Sequence, residues 1–410
     1  MVEPKTLRRN KPAPRRKPLS RRSFLWRRIW VGVLAVAVVS GAVYLVQVAI
    51  RMNQQGEDFA TAAAEVARDN GFSPAVAAIE DLWYGYLHAP KVGGVPTTGT
   101  KFDNGNAGAA AIKVASRHPA VNYKPWGPAT SPIQVPARLK SPVAYRPGEG
   151  EWVPTKIKVN GVTAVYVARV RPDRIHTSVY ATVAWFDTNL LAFRQVPGTQ
   201  LPEGNLPNRG NGRVESTLRP FYMAAFAAGY KMDQSQGGYV NQGYVMKKLV
   251  AGKATLLTYP DGSVRIVNWG RDVVPGNFLT ARQNLSLMVD HGVSQVVNED
   301  QGQWGQVWYG TGSGHNYVWR SGLGVRADGS VVYVQGAALS AGSLASLLVR
   351  AGAVEGMALD MNQAFANGDF YGPYKPIGIP INPENQIPTT KFLKRSTRDF
   401  VAVFSKSPAY

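Results

Sequence analysis

Apolar runs in the last third of the chain predict a β-hairpin. Residues 322–325 and 331–334 are two short apolar stretches, separated by Ala327-Asp328-Gly329. Asp-Gly between two such stretches is a strong hairpin signal, because both turn residues tolerate positive φ angles. We therefore expect the two stretches to pair as antiparallel strands.

The pattern after this hairpin predicts a helix and then another strand. Ser340 is suited to cap the helix, and Gly352 is suited to end it. The apolar run 354–359 then predicts a strand that stops at Asp360. The positions that would share the apolar face of the helix are Leu344, Leu347, Leu348 and Ala351.

Near the N-terminus the pattern changes to one long apolar run. Residues 29–50 contain no charged side chain, and about 20 apolar residues are needed to cross a bilayer. Eleven of the 46 Lys and Arg residues lie in 1–28, with one acid, so half of the formal net charge of +20 precedes the run. The positive-inside rule then predicts a cytoplasmic basic tail, a retained transmembrane helix and an exported remainder.

Two other interpretations of this region remain open. The segment 20–25, Ser-Arg-Arg-Ser-Phe-Leu, resembles a twin-arginine export signal. A cleaved signal peptide is the other, although its apolar region is usually only about 7–15 residues long. The basic tail could also contact nucleic acid, but beside a membrane span it favours a topology signal and anionic lipid. We therefore predict lipid contact through 29–50 and no nucleic-acid partner.

The remaining chain divides into a stalk region and a strand-rich region. Residues 57–69 have apolar positions at helical spacing, and Ser73-Pro74 predicts the start of a second short helix. Residues 90–147 are rich in Gly and Pro and predict a wrapping linker. From residue 152 onward, strand-like runs surround the turn signals Asn160-Gly161 and Asp261-Gly262. The 42 glycines and 28 prolines also favour turns and strands over a helix bundle.

Composition and spacing limit the chemistry that the chain can perform. The absence of cysteine excludes disulfides, thiolate nucleophiles and Cys-ligated metals. The glycine-rich segment 310–314 matches neither a phosphate-binding loop nor a nucleophile elbow. No metal and no cofactor is predicted, since none of the five histidines has metal-ligand spacing; they are His88, His118, His176, His291 and His315.

The candidate functional residues are polar groups at the ends of apolar runs. Arginines can form paired hydrogen bonds with phosphate oxygens, and carboxylates can protonate a leaving group or activate water. This mixture suits an anionic substrate that has a glycosidic carbon. The residues are Lys231, Arg271, Asp272, Arg282, Asn284, Arg320, Asp360, Asn362, Arg398 and Asp399.

At these residues the sequence resembles the phosphodiester glycosidase family, which includes N-acetylglucosamine-1-phosphodiester alpha-N-acetylglucosaminidase. Within this family it is most similar to a bacterial, membrane-anchored branch. The resemblance covers about residues 150–405. Its matching segments are 226–232, 237–239, 269–272, 282–285, 304–305, 320–324, 327–329, 359–362 and 396–400.

The resemblance implies an α+β fold with mixed β-sheets and packed helices, and hydrolysis of a sugar-1-phosphodiester. It implies Asp360 and Arg320 as catalytic residues, with Asp360 as general acid or base. We expect Arg320 and Arg282 to bind phosphate. Asn284 and Asn362 would orient the sugar. Either Asp399 or Asp272 could be the second carboxylate. Lys231 and Arg271 are the remaining substrate-binding candidates.

Two segments depart from the family pattern. The family's Phe-Asn-Gly-Gly-Phe segment is Phe-Ala-Ala-Gly-Tyr at 226–230, and the glycine-rich turn after the aspartate is Met-Asn-Gln-Ala at 361–364. A non-catalytic protein that binds an envelope glycopolymer, or a scaffold protein, therefore stays open as the alternative. The expected organisation is a basic tail at 1–28, a transmembrane helix at 29–50, a stalk and linker at 51–150, and a domain at 151–410. Its expected partner is an anionic sugar-phosphate or cell-wall polymer.

Overall fold

A computed structural model describes most of the chain. The described residues are 21–55, 59–83, 91–102, 126–204, 209–274, 276–297, 303–304, 317–374 and 376–407. Several sequence-based expectations lie outside them, namely the tail 1–20, the turn 310–314, and His88, His118 and His315.

The chain begins with a long helix and two short ones. Helix α1 spans Arg21–Gln55, and its part Arg28–Asn53 is long and apolar enough to cross a membrane. Helices α2 (Phe59–Asp69) and α3 (Ser73–Leu82) follow, which confirms the two predicted short helices; their role as a stalk stays a prediction. The apolar side chains of α1 are largely exposed, as expected for a lipid-facing helix. The orientation of this helix in a membrane stays a prediction.

Eight strands of the described chain form the largest sheet. In sheet order they are β1 (Val153–Pro154), β4 (Val165–Val170), β5 (Ala181–Phe186), β16 (Val331–Leu339), β15 (Val318–Arg326), β17 (Ala353–Met361), β13 (Leu287–Asp290) and β14 (Val293–Ser294). The predicted hairpin is β15–β16, and β17 pairs with the other edge of β15. Strands β16 and β17 are therefore parallel to each other, with β15 between them.

Two five-stranded sheets complete the domain. One has the order β11 (Val264–Asn268), β10 (Ala254–Thr258), β12 (Thr280–Gln283), β8 (Tyr239–Asn241) and β9 (Tyr244–Lys247). The other has the order β19 (Ile379–Pro380), β18 (Gly368–Phe370), β7 (Tyr222–Ala227), β20 (Phe400–Ser405) and β6 (Leu191–Val196). A separate hairpin pairs β2 (Lys158–Val159) with β3 (Val162–Thr163), and a short helix α4 spans Met232–Ser235.

The two largest parts of the core lie on the two faces of the large sheet. Alternate residues of β16 serve different parts: Val331 and Tyr333 pack toward the five-stranded sheets, whereas Val332 and Val334 pack toward the layer that contains Leu344. A strand that is buried on both faces has a continuous apolar run, which explains the pattern at 331–334. The α+β fold class expected from the sequence is confirmed, and the observed strand pairings are antiparallel.

Helix α5 (Ala341–Arg350) connects β16 to β17 and is fixed by its first turn. The Ser340 hydroxyl accepts a hydrogen bond from the Ser343 backbone N–H at 3.0 Å, and the Ser343 hydroxyl accepts one from the Ser340 N–H at 2.9 Å. This reciprocal cap confirms the predicted helix start. Leu344, Leu347 and Leu348 are buried against the large sheet, so α5 directs β17 back into it.

Candidate functional site

Asp360 lies near the end of β17, buried between strands. The Ser321 hydroxyl on β15 is 3.3 Å from both the backbone N and the backbone O of Asp360. The Asp360 carboxylate accepts hydrogen bonds from the Met361 backbone N–H at 2.9 Å and from Arg398 Nη2 at 2.8 Å. Burial raises the pKa of Asp360 to about 6, although the Arg398 charge acts in the opposite direction. Such a carboxyl group can give or accept a proton near neutral pH.

Arg398 joins Asp360 to a second segment of the domain. Its Nη2 also donates to the Gly229 carbonyl at 3.2 Å, and its guanidinium lies 4.1 Å from the centre of the Phe365 ring. The side chain of Arg398 is 12% exposed, against 4% for Asp360. Arg398 is therefore the more accessible member of the pair. The sequence marked Arg398 as a polar residue at the end of a run, but gave it no role at the site.

Arg282 and Asp399 form a second ion pair within the same network. Arg282 Nε is 3.1 Å from the Asp399 carboxylate, and both side chains are almost fully buried. Arg282 also donates to the carbonyls of Gln283 and Tyr230, at 2.9 Å and 2.5 Å, and to the Asn284 side chain. Because its donors already meet protein acceptors, Arg282 holds its neighbours in place more readily than it could bind a new anion.

The segment 228–230 is where these contacts meet. The Asn284 amide donates to the Ala228 carbonyl at 3.2 Å and accepts from the Tyr230 N–H at 3.2 Å. Gly229 has a φ of 142°, and a Cβ at this position would lie 2.2 Å from the Asn284 side chain. A glycine is therefore required here by both the backbone angle and the close approach. The structure brings Arg282, Asn284 and Asp360 together around this segment.

Arg320 reaches the same segment from β15. Its Nε donates to the Leu339 carbonyl at 2.9 Å and its Nη1 to the Trp304 carbonyl at 2.8 Å. Burial raises the pKa of Tyr230, the Arg320 charge lowers it and the Asp360 charge raises it, so both groups lie near this phenol. In the pairing of β15 with β17, Arg320 lies opposite Met361 rather than Asp360. Within the described chain, Arg320 and Asp360 do not hydrogen-bond to each other.

The turn after β17 contains a residue in the left-handed conformation that is not a glycine. Asn362 has a φ of 74°, and its carbonyl accepts from the N–H groups of Phe365 at 3.1 Å and Ala366 at 2.8 Å. Asparagine tolerates this left-handed conformation better than most residues. The Asn362 side chain accepts from the Ala364 N–H at 3.2 Å, so it supports the turn.

The other predicted site residues lie in contacts away from Asp360. Lys231 Nζ is 2.8 Å from Glu65 of α2. Arg271 pairs with Asp272 at 2.6 Å and with Asp290 at 2.5 Å, in a partly exposed cluster. Substrate contacts by Lys231, Arg271 and Asp272 stay predictions, and in this structure their charges are already paired.

One group of described residues has the donor atoms for a metal ion. A carboxylate oxygen or ring nitrogen from each of Asp290, His291 and Glu355 lies within 4.8 Å of the others. Asp290 and His291 lie at the end of β13, whereas Glu355 lies in β17. The spacing of these residues in the sequence therefore could not reveal the group. His291 is 82% exposed, and Arg271 already neutralises Asp290. The group is therefore not a closed metal site.

Comparisons with known proteins give fold-level similarity alone. No protein-family model and no curated protein matches the sequence. A crystal structure of a hypothetical protein from Synechocystis is 12% identical, with a TM-score of 0.40; it aligns with 60% of this chain, and this chain spans 63% of its length. The catalytic domain of zebrafish N-acetylglucosamine-1-phosphodiester alpha-N-acetylglucosaminidase, auto-inhibited by its pro-peptide, is 12% identical, with a TM-score of 0.39. It aligns with 62% of this chain and 87% of its own length. Because both TM-scores are below 0.5, neither match assigns a site residue or an activity to this chain.

Proposed function

We propose that the protein is a membrane-anchored hydrolase that cleaves a sugar-1-phosphodiester in an anionic envelope glycoconjugate. The observation that carries this proposal is the pair formed by Asp360 and Arg398 at 2.8 Å, in which a buried carboxyl group has a pKa of about 6. Shifted pKa values of this kind, beside a specific charged partner, are typical of catalytic sites.

In this proposal Asp360 is the general acid or base. With a pKa near 6, a substantial fraction of the group is in each protonation state near neutral pH, so it can protonate the leaving oxygen or activate water. Arg398 supplies the adjacent positive charge for the phosphate, because its side chain is the more exposed of the pair. This role replaces the one that the sequence suggested for Arg282.

Arg282, Asn284 and Asp399 act in this proposal as positioning residues. Arg282 holds the Tyr230 carbonyl and the Asp399 carboxylate, and Asn284 holds the segment that Arg398 contacts through Gly229. Asp399 is thus engaged by Arg282, and Asp272 by Arg271, so neither candidate for a second carboxylate is free in this state. Water activated by Asp360 would then attack the anomeric carbon.

The second candidate function is non-catalytic binding of an envelope glycopolymer. A specific observation favours it: Arg282, Arg320 and Asp360 all contact protein partners in a buried network. In that case the network stabilises the fold, and an anionic polymer binds elsewhere on the exported part. The net positive charge of the chain is compatible with both functions.

The charge pattern supports an extracytoplasmic location for 51–410. Eleven Lys and Arg residues lie in 1–28, before the uncharged run 29–50 of a helix that is apolar and long enough to cross a membrane. Under the positive-inside rule this asymmetry favours a cytoplasmic N-terminus.

The two functions are separated by an assay of the purified full chain on a panel of sugar-1-phosphodiesters. Hydrolysis would release a free sugar and a phosphate monoester in equal amounts. The hydrolase proposal expects both products from at least one compound. Saturable binding of these compounds without release of either product would favour the binding protein.

A further inference from the structure

A cavity of about 670 Å³ lies beside the Asp360 network, at the end of α1. Four of its lining residues are cationic, and none of the lining residues in the described chain is acidic. The cations are Arg213, Lys391, Lys394 and Arg395. None of them was singled out from the sequence; Lys391, Lys394 and Arg395 lie in one segment, and Arg213 comes from a distant loop.

The walls of this cavity are held by backbone hydrogen bonds between distant segments. The N–H groups of Thr199 and Gln200 donate to the carbonyls of Ser396 and Thr397, each at 3.0 Å, and the Ser396 N–H donates to Gly212 at 2.8 Å. Lys391 is fixed at the inner wall, where its Nζ donates to the Ala364 carbonyl at 2.7 Å. The cavity is thus a pre-formed feature of the loops.

The positive charge of the cavity is poorly neutralised by the protein. Arg213, Lys394 and Arg395 are exposed and form no ion pair with any described residue. Thr390, Ser396 and Thr397 add hydroxyl groups to the lining. Guanidinium, ammonium and hydroxyl groups that converge without a carboxylate suit a phosphate group.

The position of the cavity indicates where the phosphate comes from. Met52 and Asn53, the last residues of the candidate span Arg28–Asn53, form part of the lining. A cavity at the end of a membrane span lies at the level of the lipid headgroups. Beyond it, Val43 and Val46 on α1 are exposed, so an acyl chain attached to the phosphate could follow the helix into the bilayer.

From this arrangement we propose that the cavity binds the phosphate headgroup of an anionic lipid of the membrane that holds α1. This site is separate from the proposed hydrolytic chemistry and does not depend on it. Its function would be to fix the domain against the bilayer. The Phe365 ring contacts Lys391, which lines the cavity, and Arg398, which pairs with Asp360; neither Arg398 nor Asp360 is among the lining residues.

The test uses the full chain in nanodiscs that contain phosphatidylglycerol with a photoactivatable headgroup. Crosslinked residues are mapped by peptide mass spectrometry in the wild type and in Lys394→Gln/Arg395→Gln. We expect wild-type crosslinks at 388–397. Their yield should fall about 25-fold in the double variant, since each interfacial cation contributes about fivefold to anionic lipid binding.

The matched control is Lys158→Gln/Arg265→Gln, which removes two exposed cations outside the cavity. It should leave these crosslinks unchanged, as should excess soluble glycerol phosphate. The proposed site would be overturned if the wild type gave no crosslinks at 388–397, or if these crosslinks were equally strong in the double variant. Loss of the crosslinks on adding glycerol phosphate would show a site for soluble phosphate esters and overturn its assignment to lipid.

Discussion

Arg398 and Asp360 form a buried ion pair that joins two sheets: Nη2 of Arg398 is 2.8 Å from Oδ2 of Asp360. Asp360 belongs to β17 of the large sheet, and Arg398 lies two residues before the start of β20 in a five-stranded sheet. The Arg398 charge reduces the free-energy cost of burying the Asp360 carboxylate, but part of this cost remains. Burial therefore still raises the pKa of Asp360 to about 6. Two of the predictions below depend on this balance.

Replacing Arg398 should move the pH dependence of hydrolysis to higher pH. In Arg398→Ala the opposing charge is lost, so the pKa of Asp360 rises above 6 and the limb of the kcat/KM profile assigned to Asp360 moves up by about one pH unit. Arg398→Lys retains the charge and should move this limb less. If this limb lies at the wild-type pH in both variants, Asp360 is not the group whose titration produces it.

Asp360 should also make the folded protein more stable in mild acid. Its folded-state pKa is raised from 3.8 to about 6, so its contribution is complete below the unfolded value and is lost as pH rises through 6. Between pH 7.5 and pH 5 we expect a gain of about 1 kcal/mol in the free energy of unfolding. Denaturant unfolding of the full chain in detergent measures it. In Asp360→Asn this part of the pH dependence should disappear, and its persistence would contradict the assigned shift.

Glu65 should be the main electrostatic link between the stalk and the domain. It is buried and contacts Arg51 at 3.2 Å, Arg68 at 2.6 Å and Lys231 at 2.8 Å, and these cations lower its pKa to about 2 against the effect of burial. We expect Glu65→Gln to destabilise the stalk by about 3 kcal/mol, because three partly buried cations lose their shared buried partner. Limited proteolysis between α2 and β1 measures this loss.

Asp69→Asn is the matched control for this experiment. Asp69 also contacts Arg51, at 2.9 Å, but its side chain is 53% exposed. An exposed pair contributes about 1 kcal/mol or less, so proteolysis should change little. Equal effects of the two substitutions would show that burial of Glu65 is not the reason for its importance.

Gly229→Ala should disrupt the network around 228–230. The added Cβ would lie 2.2 Å from the Asn284 side chain, at a φ of 142°, so we expect a loss of about 3 kcal/mol in the free energy of unfolding. Gly243→Ala is the control, because Gly243 also has a positive φ, of 77°, but open space around its Cβ position. It should cost about 1 kcal/mol. Thermal unfolding of both variants provides the comparison, and a smaller loss for Gly229→Ala would contradict the close packing.

The parts of this structure that could be predicted are those set by neighbouring residues. The Asp328-Gly329 turn, the Ser340 cap and the apolar face of α5 each depend on positions a few residues apart, and all are present in the structure. The three-residue spacing of the cap is itself a local signal. Strand ends are also local, which is why Asp360 could be placed there in advance.

The parts that could not be predicted depend on contacts between distant positions. Arg398 and Asp360 are 38 residues apart, and Glu65 and Lys231 are 166 apart. Local patterns carry no information on which distant segments meet, so the sequence left Arg398 without a role and gave no sign that Lys231 pairs with Glu65. The turn at Asn362 shows a further limit, because the sequence gave no sign that this residue adopts a left-handed conformation.

The central claim is that Asp360 takes part directly in the hydrolysis, and the kcat of Asp360→Asn on a sugar-1-phosphodiester tests it most directly. The matched control is Asp369→Asn, which alters another buried aspartate, on β18, outside the Asp360–Arg398 pair. We predict that Asp360→Asn lowers kcat at least about 100-fold, whereas the kcat of Asp369→Asn stays within about threefold of the wild type. A kcat for Asp360→Asn equal to that of the wild type would contradict the account.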